Sequence, residues 1–593
     1  MIHARKKKQI CSVEKEGDSI DFRIRGVYWG ILVVAAIIMV RLFFLMVIYH
    51  GFYAQLASGS HELFAQLNPK RGAIYVQDSR NGEELPIAMN RDVFLVYANT
   101  KEIQDDNTAE KSAIGLAEIF GYTDEEKLAL YYKLNKRDDP YEPIEKDLPE
   151  EVKLQIEEKE LTGIHFVRSA KRFYPEKTLA AQTVGFLGKD TDGQNIGRYG
   201  AEGYWNKELA GTAGFLEGLR GGKGGVVLSA GKVFESAEDG ADILLTIDRT
   251  IQYKACQILQ ESMKEYEAES ASLLIMDPKS GAIRAMCSLP DFDPNSYGKV
   301  ETIQTYNNAT IFTPYEPGSI FKPITMAAAI NEELISPNSV FYDKGFVDDV
   351  CETRIRNADH KVYKDQTITG VLEKSINTGM VYVAQQLRKE LFRDYVEQFG
   401  FGIKAGIALD SEVSGVIDSL YKNKGDAIDC YAATASFGQG ITATPLQMAS
   451  AFSAIANGGL LMKPYVIQEI RHINGKIDRT KSKELRRVLS QRAASLTAGM
   501  MVSVVDSGHA AGARVPGYYV AGKTGTAQIA ERGGYSDKYN HSFIGFAPVD
   551  NPAFVMVVKF ENPKRRFSSS TAAPTFGKVA RFILDYYGVA PLR

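Results

Sequence analysis

The chain of 593 residues is long enough for about three or four domains, and its 45% hydrophobic and 24% charged residues are ordinary for a globular protein. Its 70 basic and 73 acidic residues leave a net charge of −3, which argues against a nucleic-acid-binding protein, because such a protein normally carries a basic domain or stripe. Its five cysteines form no CxxC pair and its eight histidines no HExxH motif, so the sequence predicts neither a zinc or thioredoxin-type site nor a catalytic metal.

An apolar run near the N-terminus predicts a single transmembrane helix. Residues 27–48 contain one charge, Arg41, and the run reaches the roughly 20 apolar residues that a membrane-spanning helix needs. A buried core helix would show a polar face, and a cleaved signal peptide usually has a shorter apolar core of about 7–15 residues, so both alternatives are less favoured. The basic residues 5–8 orient the helix, with residues 1–26 in the cytoplasm and everything after the span outside.

After the span the chain divides into two predicted domains, residues 49–235 and residues 236–593. The first mixes strands and helices, which are indicated at 71–75, 94–98, 108–121 and 123–134. The second has strands at both ends with helices between them: strands are indicated at 271–277, 283–288, 543–547 and 554–560, and a closing amphipathic helix at 574–587. This pattern predicts an α+β fold with one antiparallel sheet covered by helices.

Four cysteines fall in the second domain, and their spacing does not resemble a dense disulfide scaffold. They are Cys256, Cys287, Cys351 and Cys430. One or two long-range bridges among them stay open, but the wide spacing favours buried free thiols.

Ser319 and Lys322 form the first of three motifs in the second domain that carry chemistry. They stand three residues apart at the start of a predicted helix, residues 319–333, so both side chains lie on one helical face. A serine hydroxyl becomes a nucleophile only beside a base, and the positive end of the helix dipole favours its alkoxide. An ordinary N-cap serine accounts for the local residues equally well.

Ser375 and Asn377 form the second motif, between predicted helical segments at 369–374 and 380–389. The hydroxyl could pass a proton, and the amide could hold a substrate carbonyl. A loop with turn-forming residues is the alternative interpretation.

The third motif is the run Lys-Thr-Gly-Thr at residues 523–526. Residues 517–524 also match the GxxxxGK[ST] pattern of a phosphate-binding loop. That loop requires a helix directly after the lysine, whereas Gly525 and Thr526 do not begin one, and the residues between the two glycines look like a strand. The phosphate-binding interpretation is therefore disfavoured.

The three motifs in this order match the signature of penicillin-binding proteins and class A β-lactamases. Further matches are RGAI at 71–74, RFYP at 172–175, YGAE at 199–202 and FGQG at 437–440. Over nearly its whole length the chain resembles the class B penicillin-binding proteins, which are monofunctional peptidoglycan D,D-transpeptidases. The resemblance implies a transpeptidase domain of the penicillin-binding and serine β-lactamase-like fold at 236–593, on an elongated N-terminal pedestal, or dimerisation-type domain, at 49–235.

The same resemblance implies the roles of the site residues. Ser319 would be the nucleophile, Lys322 its base and Ser375 a proton relay, in cross-linking that releases D-alanine from stem peptides ending in D-Ala-D-Ala. Asn377 would fix the donor peptide. The run at 523–526 would bind the donor's terminal carboxylate through its residues Lys523, Thr524, Gly525 and Thr526, and no metal or organic cofactor would be needed.

For the cell, the resemblance implies a single-pass protein of the bacterial plasma membrane that is a target of β-lactams. Its body would act outside the membrane in peptidoglycan synthesis, and a septal role in cell division is favoured over one in elongation and cell shape. Implied partners are a multi-span glycan-polymerising glycosyltransferase and other cell-wall assembly proteins.

Two other functions share the motifs. A membrane-bound β-lactamase would need an efficient base for deacylation, and the sequence shows no counterpart of the glutamate loop of class A enzymes. A β-lactam sensor usually carries extra spans or a cytoplasmic signalling domain, whereas the predicted cytoplasmic tail is residues 1–26. A non-catalytic scaffold would not need Ser319, Lys322, Ser375 and Lys523 all intact.

Overall fold

The structure is a computed structural model that describes residue 39 and residues 62–67, 69–220, 226–227, 234–531 and 534–592. The chain forms two compact units, one of Met1–Pro69 with Thr212–Glu238 and one of Lys70–Gly211 with Asp239–Arg593. Among the described residues, no helix has the length and apolar character needed to cross a bilayer. The predicted span at 27–48 lies outside the described residues, apart from residue 39.

The described strands are numbered in chain order. They are β1 (Glu62–Leu67), β2 (Ile74–Gln77), β3 (Glu84–Ala98), β4 (Glu142–Leu148), β5 (Ile164–Phe173), β6 (Phe186–Lys189), β7 (Asn195–Arg198), β8 (Gly214–Arg220), β9 (Val226–Val227), β10 (Phe234–Glu235), β11 (Asp242–Asp248), β12 (Ser270–Met276), β13 (Ile283–Leu289), β14 (Val340–Asp343), β15 (Phe346–Val347), β16 (Ile355–Arg356), β17 (Lys364–Thr367), β18 (Leu460–Met462), β19 (Ile467–Arg471), β20 (Ile477–Arg479), β21 (Glu484–Arg487), β22 (Ala521–Glu531), β23 (Gly534–Ala547) and β24 (Phe554–Glu561).

The described α-helices are numbered in the same way. They are α1 (Asp106–Phe120), α2 (Asp124–Leu134), α3 (Glu150–Glu157), α4 (Ala181–Val184), α5 (Gly200–Tyr204), α6 (Asn206–Ala210), α7 (Arg249–Glu265), α8 (Ala309–Phe312), α9 (Lys322–Asn331), α10 (Ile368–Glu373), α11 (Asn377–Leu387), α12 (Lys389–Gln398), α13 (Cys430–Ala435), α14 (Pro445–Ala456), α15 (Gln491–Asp506) and α16 (Ala572–Tyr586). Short 3-10 helices include Gly318–Phe321 and Ser568–Ser570.

In the first unit, β8 pairs antiparallel with β1, β9 and β10. In the second unit, a seven-stranded sheet has the order β20-β19-β11-β2-β3-β4, with β5 also paired to β3. Strands β2 to β5 of this sheet precede residue 235, the end of the first predicted domain, and β11, β19 and β20 follow it. Strand β11 runs parallel to β2. The helices α1, α2 and α3 pack against β3, β4 and β5 around a small separate apolar core.

A five-stranded antiparallel sheet with the order β13-β12-β24-β23-β22 organises the region that contains the three motifs. Its central strand, β24, is buried over Phe554–Phe560, which explains why this stretch is apolar apart from Lys559. Helices α7, α14 and α16 pack on this sheet, and Phe576 of α16 contacts Phe543 of β23. The predicted antiparallel sheet covered by helices is confirmed for the described residues.

Local differences from the sequence predictions have simple causes. The predicted strand at 94–98 is the end of the longer strand β3. The first part of β3 was not predicted, because Pro86 and the polar residues 90–92 interrupt the apolar pattern of this half-exposed strand. The predicted helix at 319–333 begins as the 3-10 turn Gly318–Phe321 and continues as α9. Strand β22 runs through residues 523–526 without a helix after the lysine, which excludes the phosphate-binding loop.

The expectation of free thiols is wrong. Cys256 is bonded to Cys287, and Cys351 is bonded to Cys430. The tertiary fold brings the Cα atoms of the two pairs to 5.4 and 4.7 Å, within the usual range for disulfides, and a sequence separation of 31 or 79 residues carries no signal of such proximity.

Candidate active site

The turn that carries Ser319 is held between the segment around Gly438 and strand β22. Ile320 and Phe321 are fully buried and anchor it in the core, while Ser319 itself stays half-buried. The N–H of Gly318 donates a hydrogen bond of 2.9 Å to the carbonyl of Gly438. A side chain at Gly438 would place its Cβ 2.2 Å from the Gly318 carbonyl oxygen, so only glycine fits here.

The neighbouring strand β22 passes equally close to this turn. A Cβ at Gly525 would lie 3.0 Å from Cγ2 of Ile320 and 3.1 Å from the carbonyl oxygen of Pro317. The missing side chain therefore lets the Lys-Thr-Gly-Thr strand lie against the turn of Ser319. The first and third motifs, which are far apart in sequence, are thus adjacent.

The amine of Lys322 joins the first motif to the second. Lys322 is fully buried in the first turn of α9, and its Nζ donates hydrogen bonds to the Ser375 carbonyl at 2.6 Å and to Oδ1 of Asn377 at 2.8 Å. The Oγ of Ser375 lies 3.1 Å from the same Nζ. The structure therefore brings all three side chains to one point.

Ser375 adopts an unusual backbone conformation to make these contacts. It lies between α10 and α11 with φ of 55°, in the left-handed region that non-glycine residues seldom occupy. The next residue, Ile376, is fully buried and its N–H bonds to the Val371 carbonyl at 2.9 Å, which holds the turn in place. Such conformations persist where the surroundings fix them, and they concentrate at functional sites.

Burial makes both motif lysines easy to deprotonate. Desolvation lowers the pKa of Lys322 well below its ordinary value, and the nearby charge of Lys523 lowers it further. Burial alone lowers the pKa of Lys523 to about 7. An uncharged amine at Lys322 could accept a proton, which is what the activation of a serine hydroxyl requires.

The third motif is held mainly by polar contacts within the protein. Nζ of Lys523 lies 3.1 Å from the Thr524 carbonyl and 3.3 Å from Oγ1 of Thr524, which is itself buried. Oγ1 of the half-buried Thr526 lies 3.1 Å from Oγ of Ser568 and accepts a hydrogen bond of 3.3 Å from the Ser568 N–H. Nothing in the sequence singled out Ser568, which stands in a run of three serines that looks like an ordinary loop.

Within the described residues the Ser319 hydroxyl makes no hydrogen bond, as is common for catalytic groups before substrate binds. The described residues contain no group of three or more His, Cys, Asp or Glu side chains that could hold a metal ion.

Comparison with protein families matches two parts of the chain. Residues 271–581 match the family described as "Penicillin binding protein transpeptidase domain", and residues 66–245 match "Penicillin-binding Protein dimerisation domain". All three motifs lie within the part of the chain that matches the transpeptidase family.

Relatives and solved structures agree with these matches. "Stage V sporulation protein D" of Bacillus subtilis is 33% identical over 573 residues, covering 94% of this chain and 85% of that protein. "Probable peptidoglycan D,D-transpeptidase PenA" of Neisseria gonorrhoeae is 27% identical, covering 96% and 94%. Penicillin-binding protein 3 of Mycobacterium tuberculosis, complexed with ampicillin, has a TM-score of 0.67 at 26% identity, covering 89% of this chain and 97% of that chain.

Proposed function

The chain belongs to the class B penicillin-binding proteins and is a serine-type D-Ala-D-Ala transpeptidase of cell-wall synthesis, and from this premise we propose how its residues perform the reaction. The observation that carries the proposal is the contact of the buried Lys322 amine with Ser375 and Asn377, one helical turn from Ser319. This contact places the base beside a second hydroxyl, and the nucleophile lies in the 3-10 turn that directly precedes the base.

In the acylation step, uncharged Lys322 takes the proton of Ser319 as the serine oxygen attacks the carbonyl of the penultimate D-alanine. Backbone N–H groups of Ser319 and Thr526 stabilise the oxyanion, and each such donor is typically worth about 10²–10³ in rate. The peptide bond breaks, the Lys322 proton passes through Ser375 to the departing nitrogen, and D-alanine leaves. The product is an ester between Ser319 and the donor peptide.

In the deacylation step, an amine from a second stem peptide attacks that ester. Its nitrogen forms the cross-linking amide, it loses a proton, and the Ser319 oxygen recovers one. Before acylation, the donor's terminal carboxylate would be bound by Lys523, Thr524 and Thr526 beside Gly525, and it would raise the pKa of Lys523 so that this amine is charged in that complex. This contact would end when D-alanine leaves. Asn377 would hold the donor backbone.

The experiment that tests this function supplies a D-Ala-D-Ala stem-peptide donor and an amine acceptor, and measures both products. We expect one D-alanine to be released for each cross-link formed, and neither product with Ser319→Ala. Cross-linking by the Ser319→Ala variant, or hydrolysis without cross-linking by the native chain, would contradict the proposal.

We also propose that β-lactams acylate Ser319 and stay bound. The support is the similarity to penicillin-binding protein 3, whose structures include complexes with ampicillin and aztreonam. Slow, stoichiometric labelling by nitrocefin is expected, whereas rapid turnover would favour a β-lactamase. Complementation of a deletion strain by Ser319→Ala would favour a scaffold or sensor.

For the cell we propose a single-pass plasma-membrane protein anchored by residues 27–48, with the domains 49–235 and 236–593 outside. The apolar run supports the anchor, and two disulfides fit an extracytoplasmic body, because such bonds persist in oxidising compartments. A glycan-polymerising glycosyltransferase with several membrane spans would then be the natural partner. Labelling of single introduced cysteines with an impermeant reagent tests the topology, and labelling of residue 10 from outside would contradict it.

We propose a septal role, on the resemblance of the sequence to the division-type branch of the class B proteins. The name of the Bacillus subtilis relative supports a second candidate, wall synthesis during sporulation. A fluorescent fusion separates the two, because it would gather at every division septum in the first case and only in sporulating cells in the second.

A further inference from the structure

A fully buried carboxylate, that of Asp343 at the end of β14, lies near the second motif. Among the described residues it pairs with no lysine, arginine or histidine, and instead accepts four hydrogen bonds. The donors are the N–H groups of Gly345 at 2.7 Å and Tyr363 at 2.8 Å, Nδ2 of Asn357 at 2.9 Å and Oγ1 of Thr378 at 2.7 Å. Burying a charge is costly unless hydrogen bonds satisfy it, so this carboxylate fixes the position of all four donors.

Two of these donors lead directly to the site. Thr378 is the second residue of α11, and its N–H donates a hydrogen bond of 3.3 Å to Oδ1 of Asn357. The preceding residue, Arg356, accepts a hydrogen bond of 3.1 Å from Nδ2 of Asn377 at its carbonyl. With its nitrogen held there, the amide of Asn377 turns its oxygen toward the amine of Lys322, at 2.8 Å.

The start of α11 needs this outside support. The first N–H groups of a helix have no partner inside it, and Ile376, which precedes α11, has no side chain that can cap them. Asn357 supplies the acceptor that an ordinary cap would provide. A carboxylate beside a helix N-terminus is also favourable for electrostatic reasons, so Asp343 stabilises the helix end that carries Asn377.

We propose that Asp343 is a positioning residue for acyl transfer. It acts through Asn357 and Thr378, which together hold the first turn of α11 so that the amide oxygen of Asn377 stays on the Lys322 amine. The inference rests on the function proposed above and adds a buried support that touches neither substrate nor the reacting atoms.

The test compares two matched substitutions of buried threonines. Thr378→Val removes the hydroxyl that bonds to Asp343, and Thr246→Val removes a hydroxyl in β11 that donates a hydrogen bond of 2.6 Å to the Ile283 carbonyl. Both side chains are nearly inaccessible, at 1% and 3% exposure, so the two variants should lose similar stability. Only the first lies in the proposed support.

The readout is acylation by a fluorescent penicillin in a stopped-flow experiment with the full chain. The amplitude counts folded molecules, and the rate constant at saturating penicillin reports the geometry within them. We expect Thr378→Val to lower that rate constant about 10- to 100-fold at unchanged amplitude, since small misplacements in a site have effects of this size. Thr246→Val should keep the native rate constant, and Thr378→Ser, which retains the hydroxyl, should recover most of it.

Equal rate constants for Thr378→Val, Thr246→Val and the native chain would overturn the proposal. Should Thr378→Val fail to fold, Asn357→Leu removes the acceptor of the Thr378 N–H, and a native rate constant in that variant would also overturn it. If the native chain itself is not acylated, the proposed function fails instead, so the two failures are distinguishable.

Discussion

Two clusters of buried charge in the second unit contrast strongly. Around Glu202, opposite charges meet: its fully buried carboxylate accepts hydrogen bonds of 2.7 Å from both Arg71 and Arg172. The buried amines of Lys322 and Lys523 instead contact only uncharged oxygens among the described residues. A paired buried charge holds the fold together, whereas an unpaired buried amine tends to lose its proton and becomes available for chemistry.

The largest effect should come from removing an unpaired lysine. Lys322→Met keeps an unbranched side chain, one atom shorter and without the amine, and we expect acylation by penicillin to fall about 10³-fold, within the range for loss of a general base. The melting temperature should stay the same or rise, because burying an amine without an ionic partner is unfavourable.

Lys389→Met is the matched control for this comparison. Lys389 is also buried, but its Nζ pairs with Oδ2 of Asp429 at 2.7 Å. Its loss should lower the melting temperature and leave the acylation rate constant of the folded protein near the native value. Native acylation by Lys322→Met would remove the distinction between the two clusters.

Breaking the paired cluster should have the opposite profile. Glu202→Gln leaves two buried guanidinium groups without their anion, and loss of one partner of a buried ion pair typically costs about 3–5 kcal/mol. We expect the free energy of unfolding, measured with urea, to fall by that amount, while the folded fraction acylates at the native rate. Slower acylation in the folded fraction would mean that the Glu202 cluster also serves the site.

Each of the two disulfides should contribute measurably to the stability of the folded chain. Replacing both cysteines of a pair by alanine should lower the free energy of unfolding by about 2–4 kcal/mol. The bridge between Cys351 and Cys430 closes a longer segment than that between Cys256 and Cys287, 79 against 31 residues, so its loss should have the larger effect. Denaturation curves of the two double variants measure both losses. A larger loss on removal of the bridge between Cys256 and Cys287 would contradict this prediction.

The smallest predicted effect is a difference in pH dependence. Because burial lowers the pKa of Lys523 from 10.5 to about 7, the unfolded chain binds more protons than the folded one between these values, and stability rises with pH across this window. Lys523→Met should therefore be more stable than the native chain near pH 6, and this advantage should shrink toward pH 10. A stability difference between the two proteins that stays constant from pH 6 to 10 would show that the pKa of Lys523 is not lowered by burial.

The contribution of the Glu202 cluster to stability should instead change at acidic pH. Burial raises the pKa of this carboxyl, but the charges of Arg172 and Arg71 outweigh it and leave the pKa below its ordinary value. The stabilisation is thus present above the unfolded pKa of 4.5 and is lost as the pH falls through the folded value. The stability difference between the native chain and Glu202→Gln should narrow on acidification, and a difference that is flat with pH would contradict this.

The motif side of this contrast could be predicted from the sequence, because its signals are local, whereas the ion pairs of Glu202 could not. The three-residue spacing of Ser319 and Lys322 requires only a helix, and the apolar strands of the five-stranded sheet are evident from composition. The left-handed turn at Ser375, the disulfide partners and the support by Asp343 could not be predicted, since each depends on segments that meet only in the folded chain. The three motifs in order predicted the reacting groups but not what holds them.

Peptide mapping of the penicillin-treated chain by mass spectrometry tests whether Lys322 activates the Ser319 hydroxyl. We expect one penicilloyl group per chain, on Ser319, and none in Lys322→Met within the time that labels the native protein fully. A penicilloyl group on another side chain, or full labelling of Ser319 in the variant, would contradict it.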